Sequence, residues 1–250
     1  MMRLCVISCE VFCREFAEMA AGSPHVVDLS FQPFGLHDTP EALRENLQKA
    51  IDNVPVGRYD AILIGYGLCC RGTAQIVARH TPLVLVRAHD CITFFLGSKE
   101  RYMKQFTESP GTYYYSPGWI ERKDGTAEQG FVKFTRSEER AARFETYVQK
   151  YGEDNARYLI DLESHWQDNY QRATFINQDI GQTPVYQAFV EGVATEQGWA
   201  YSELKGDPRL LTALFDGNWN SEDFLVVPVG SRVIETHDEH IIATEVCETP

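Results

Sequence analysis

The sequence is short of basic charge and contains no long apolar run. It carries 23 Lys and Arg against 36 Asp and Glu, a formal net charge of −13. Such a chain repels phosphate backbones unless basic residues cluster, and here they are scattered, so nucleic acid is not an expected partner. The longest apolar stretches, such as Ala61–Leu63 and Phe224–Val229, are strand-length, far below the roughly 20 residues of a membrane helix. The opening segment reaches the acidic Glu10 too early for a secretory signal. The expectation is a cytoplasmic protein with no membrane contact.

Nucleotide and hydrolase signatures are missing too. There is no Walker A sequence and no GxSxG elbow, and Gly65-Tyr66-Gly67 lacks the spacing of a dinucleotide fingerprint. No low-complexity tract or fixed-period repeat appears. Cysteine, by contrast, is plentiful, with seven residues at 5, 9, 13, 69, 70, 91 and 247. The odd count and the clustering argue against a disulfide framework in a chain large enough to bury its own core. Cys5, Cys13 and Cys247 read as small buried hydrophobes.

Apolar patterning alternates strands with helices. Leu4–Ser8 reads as a buried strand feeding a helix over Val11–Ala20, and Val26–Phe31 as a second strand. Thr39 and Pro40 open a helix running to about Asn53. Ala61–Gly65 is a buried strand, and the glycine-rich turn after it leads to an expected helix over Thr73–Arg79. Leu83–Val86 is the next strand, with a helix from Cys91 to Phe106. Tyr113–Glu121 reads as an aromatic loop, followed by two helices over Ser137–Tyr151 and Glu153–Thr174. A helix over Pro184–Gln197, a strand over Trp199–Leu204, a helix over Pro208–Phe215 and a strand over Phe224–Val229 complete the pattern. The fold class expected is α/β: a Rossmann-like open, mainly parallel sheet with flanking helices and a helical-hairpin insertion. Residues 1–230 form one domain, with the aromatic loop and helical insertion at about 111–180. Residues 231–250 form a polar tail, extended or mobile.

Ligands of open parallel sheets bind beyond the carboxyl ends of the strands. Cys9, Cys69, His89 and Cys91 all follow strand ends, so they are expected on one edge. Thiolate and imidazole are zinc ligands, and three of them with an open position make a catalytic site. The metal set is therefore Cys69, His89 and Cys91, with Cys9 as fourth. Two other readings stay open: an iron–sulfur centre, and a metal-free thiol at a helix start with His89 as its base. Asp90 reads as a helix cap or a supporting group, and with Arg71 it is a candidate catalytic residue. Arg87, His37, Tyr113 and Trp119 are candidate substrate-binding residues, the two aromatics as a wall or lid. The expected ligand is a small molecule.

Several segments together resemble the DUF1638 family. They are Gly65–Cys69, Arg87–Cys91, Leu96–Tyr102, Pro110–Tyr114, Ser116–Glu121, Gly206–Leu211 and Phe224–Pro228, and the resemblance spans about Leu4 to Gly230. Cys70 departs from the small residue expected there. The resemblance carries no established activity. It implies company with corrinoid-dependent methyl-transfer systems. A zinc-dependent methyltransferase, or a methyltransferase-associated enzyme, is then the expectation, with a corrinoid protein as partner. The alternative is a non-catalytic accessory protein that handles metal or corrinoid. A compact acidic chain of this kind can also form a homodimer.

Overall fold

The computed structural model describes residues 1–69, 71–122, 137–165 and 169–247. Its central element is a five-stranded sheet built from β1 (Arg3–Cys9), β2 (Val26–Gln32), β3 (Ala61–Gly65), β4 (Leu83–Val86) and β8 (Phe224–Val227), in the order β2-β1-β3-β4-β8. The first four strands are parallel and β8 runs antiparallel to β4. Every residue of β3 and β4 is buried, as is β1 from Leu4 on. Burial of consecutive residues means both faces are covered, which is why these strands are continuous apolar runs. β2, at the edge, alternates between exposed and half-buried.

Helices α1 (Cys13–Gly22), α2 (Pro40–Asp52) and α9 (Arg209–Phe215) flank this sheet. α2 buries Leu43, Leu47 and Ile51, one stripe at helical spacing. The helix expected over 91–106 is two helices, α3 (Cys91–Leu96) and α4 (Lys99–Glu108). Gly97 takes φ +78° to end the first, and the Ser98 hydroxyl accepts from the Arg101 amide at 3.0 Å to begin the second.

A second, wholly parallel sheet has the order β5-β6-β7, from Thr112–Tyr115, Arg172–Asn177 and Ala200–Lys205. It corrects two expectations. The segment read as an aromatic loop holds β5 and a short helix, α5 (Pro117–Glu121), and the end of the expected helix 153–174 belongs to β6. Between them lie α6 (Ser137–Tyr151) and α7 (Glu153–His165), and α8 (Thr183–Gln197) crosses from β6 to β7. Tyr115, Phe175, Tyr186 and Val190 anchor a core of their own here.

The expected helix over 73–79 is also overturned. Gln75 has φ +73°, which no helix accepts. Ile76 and Ala78 are buried in strand-like alternation. This stretch bonds to β9 (Ser231–Glu235), with the Gln75 amide donating to the Val233 carbonyl at 2.7 Å and the Val233 amide to Ile76 at 3.0 Å. β9 pairs antiparallel with β10 (Ile242–Val246). The segment read as a polar tail therefore forms a hairpin that buries Val233, Ile241 and Ile242 in the main core.

Arg87 fastens that hairpin. Its Nε donates to the carbonyls of Ser221 at 3.0 Å and Phe224 at 3.2 Å, and its Nη1 donates to His240 at 3.0 Å and to Ile242. Lysine cannot reach all four. Arg87→Lys is expected to cost about 2 kcal/mol, with faster amide exchange over 231–246 while β1 and β3 keep their protection. Unchanged exchange in the hairpin would refute this role.

Among the described residues no helix is long and apolar enough to cross a membrane.

Candidate functional site

The carboxyl ends of β1, β3 and β4 meet on one edge. Ser8 pairs with Gly65 and Ile64 with Leu85, so Cys9, the turn after Gly65 and the segment 87–91 leave the sheet side by side. The turn is tied to its neighbour by backbone alone: the Leu68 amide donates to the Ala88 carbonyl at 2.8 Å, and the Cys69 amide to His89 at 2.9 Å. A Cβ on Gly67 would lie 2.9 Å from both the Ala88 carbonyl oxygen and the Asp90 nitrogen. Only glycine lets the two segments approach this closely. Cys69 adopts φ +44° and Arg71 φ +73°, left-handed conformations that cost free energy in residues with a Cβ and are concentrated at functional sites.

This arrangement brings three cysteines together. Cys9 is buried, and burial pushes its thiol up to about 11, opposed by the Val11 amide and the Tyr66 hydroxyl. Cys91 begins α3. Burial raises its thiol well above the ordinary value, and the charges of Asp90, Cys69 and Cys9 raise it further. Tyr66, buried between β3 and the turn, is likewise raised by burial and then by Cys9 and Cys69. Cys91 thus lies within electrostatic reach of Cys69 and Cys9, and Tyr66 within reach of Cys9 and Cys69. Burial favours the protonated thiols of Cys9 and Cys91, and a nearby positive charge opposes that preference.

His89 departs from the expected set. Its carbonyl holds Cys69, but its side chain lines a cavity of about 620 Å³ with Lys99, Tyr102 and His240. Among the described residues, no group of three or more His, Cys, Asp or Glu side chains stands ready to hold a metal ion. Cys70 lies outside the described residues.

Asp90 caps α3, its Oδ1 accepting from the Ile92 amide at 3.0 Å and its Oδ2 from the Tyr102 hydroxyl at 2.9 Å. Burial raises the Asp90 carboxyl, while these donors pull it down. It lines a second cavity, of about 370 Å³, walled by Tyr102, Phe106, Tyr113, Trp119 and Tyr170. The Tyr113 ring stands 6.0 Å from Trp119 and 5.3 Å from Tyr170. Tyr113 is raised by burial and then by Tyr170, Asp38 and Cys91, which places the aromatic cavity beside the cysteines. Trp119 also meets Phe34 at 6.5 Å, and Phe34 meets His37 at 6.1 Å. His37 therefore sits at the margin, its Nε2 3.4 Å from Asp38.

The two arginines lie elsewhere. Arg71 pairs with Glu235 at 2.7 Å and lines a separate cavity with Arg44 and His237, and Arg87 holds the hairpin. The structure thus places Cys9, Cys69, Cys91, Asp90, Tyr113 and Trp119 at one edge, puts His89 in the lining of the neighbouring cavity, and engages Arg71 and Arg87 elsewhere. Sequence reasoning missed Tyr66, Tyr102, Phe106 and Tyr170. Tyr102 and Phe106 carried a usable signal, since two aromatics four apart share one face of a helix, and their rings lie 6.4 Å apart.

The fold and this edge define a mixed α/β protein with a cysteine cluster and an aromatic cavity at the strand ends. The chain belongs to the family described as protein of unknown function DUF1638, whose model matches residues 31–215. No match was found among curated proteins or solved structures.

Proposed function

We propose that this protein is a zinc-dependent enzyme of one-carbon metabolism, with Cys9, Cys69 and Cys91 as the metal ligands and the Asp90 cavity as the substrate pocket. The observation that supports it is the convergence of three cysteines from three strand ends beside that pocket. A divalent cation supplies the positive charge that makes such buried and half-buried thiols ligands. Three protein ligands leave a fourth position for substrate. The side chains would close around the ion from their present positions, and His89 would become the fourth ligand only by leaving its own cavity. Asp90, between cluster and pocket, is placed to orient the substrate or take its proton. Methyl transfer, with a corrinoid protein as partner, rests on the family resemblance. We read the fold as Rossmann-like, with α6 and α7 as a helical hairpin inserted between β5 and β6, and the protein as cytoplasmic. A metal-free cysteine nucleophile is less well supported, because burial raises Cys9 and Cys91 and His89 lines a different cavity.

The test is metal content. Protein purified under reducing conditions with zinc present is expected to hold about one equivalent, and Cys69→Ala and Cys91→Ala are each expected to lose it. His89→Ala is expected to retain it. Absence of metal from the unaltered protein, or retention by both cysteine variants, refutes the assignment.

A further inference from the structure

We propose that the 370 Å³ cavity beside Asp90 binds a small organic cation, a methylated or quaternary ammonium group held over aromatic rings. This inference rests on reading the cavity as the substrate pocket and does not require a metal.

Charge is the first argument. Asp90 places a carboxylate in the cavity wall and forms no ion pair with Lys or Arg among the described residues. Its hydrogen-bond donors, the Tyr102 hydroxyl and the Ile92 amide, are neutral. His89, whose charge acts on Asp90, lines the other cavity. A half-buried carboxylate without a Lys or Arg partner is unfavourable, and a cationic ligand would provide the counter-charge.

The walls are the second argument. Trp119, Tyr113, Tyr170 and Phe106 line the same space. Tyr113 is tilted 59° to Trp119 and 77° to Tyr170, so the rings present faces in more than one direction. Aromatic faces carry negative potential and attract cations, tryptophan most strongly. An anion would meet repulsion from both rings and carboxylate. A neutral apolar ligand would leave Asp90 uncompensated. A primary ammonium wants three acceptors, which Asp90, Ser109, Thr112 and Asn169 could share, whereas methyl groups suit the ring faces of Phe106, Tyr113, Trp119 and Tyr170; the choice between them is read from the titration. The volume falls at the small end of the range for ligand sites, and the chain's net charge of −13 favours cation approach.

The experiment is calorimetric titration of the full chain with choline and with its uncharged isostere, 3,3-dimethylbutanol. Choline is expected to bind at one site, and the alcohol at least tenfold more weakly. Asp90→Asn is expected to weaken choline at least tenfold, because asparagine caps a helix as well as aspartate but carries no charge. Trp119→Leu serves as a second variant and is expected to do the same. The titration is run on metal-stripped protein, because zinc at Cys91 would add positive charge beside Asp90; a failure of the zinc assignment therefore leaves this result readable. Equal binding of the alcohol, no saturable binding of choline, or unchanged choline affinity in Asp90→Asn would overturn the proposal.

Discussion

Gly118→Ala is expected to destabilise the protein by at least about 3 kcal/mol. Gly118 lies in α5, pressed against the turn that follows β1, and a Cβ built on it would collide with the carbonyl group of Val11. The obstacle is backbone, fixed on one side by the end of β1, so no rotamer change makes room. The two segments must move apart, and with them the contact between α5 and the Cys9 edge of the main sheet. For a chain of this size the loss corresponds to a fall in Tm of roughly 6–12 °C. Gly192→Ala is the matched control. Gly192 is exposed in α8, and a methyl group added there would meet nothing within 4 Å. At this position alanine should stabilise by up to about 1 kcal/mol through helix propensity. Opposite signs for the same chemical change separate steric approach from propensity. A Tm for Gly118→Ala within a degree or two of the parent would show that the segments yield freely.

The central strands of the main sheet were legible because they are buried on both faces: Leu4–Ile7, Ala61–Gly65 and Leu83–Val86 are unbroken apolar runs. The convergence of Cys9, Cys69 and Cys91 was legible for a related reason, since parallel strands fix which edge their last residues reach. The direction of each side chain at that edge was not. It depends on the turn that follows, and the left-handed conformations at Cys69, Arg71 and Gln75 have no glycine to announce them. Arg71 consequently meets Glu235 rather than the cysteines. The second sheet was hidden because Tyr113–Tyr115 is flanked by Gly111 and Pro117, which look like loop punctuation, and because Arg172–Asn177 follows directly on helical patterning. The hairpin after Gly230 carries no such signal because it is mostly polar. It is held by three buried aliphatic residues and by the Arg87 guanidinium, a long-range contact that no local pattern displays.

Glu15 is expected to make the protein lose stability as pH rises. It sits in the first turn of α1, is 1% exposed, and neither carboxylate oxygen has a hydrogen-bond partner among the described residues. Burial pushes its carboxyl from 4.5 up to about 7; the charges of Glu121 and Glu18 add to the rise, while its own amide and Arg14 oppose it. Arg14 gives little relief because it is committed to Glu121, with Nε at 2.8 Å from Oε1. The folded state therefore holds this proton more tightly than the unfolded chain. Its contribution is fully present below about pH 4.5 and is lost as pH rises through about 7. A rise of that size corresponds to about 3 kcal/mol. Urea unfolding at pH 5 and pH 8 should show the parent losing most of that amount across the interval. Glu15→Gln carries no titrating proton and should flatten the dependence, becoming more stable than the parent at pH 8. If both proteins show the same slope between pH 5 and pH 8, Glu15 is not the group responsible.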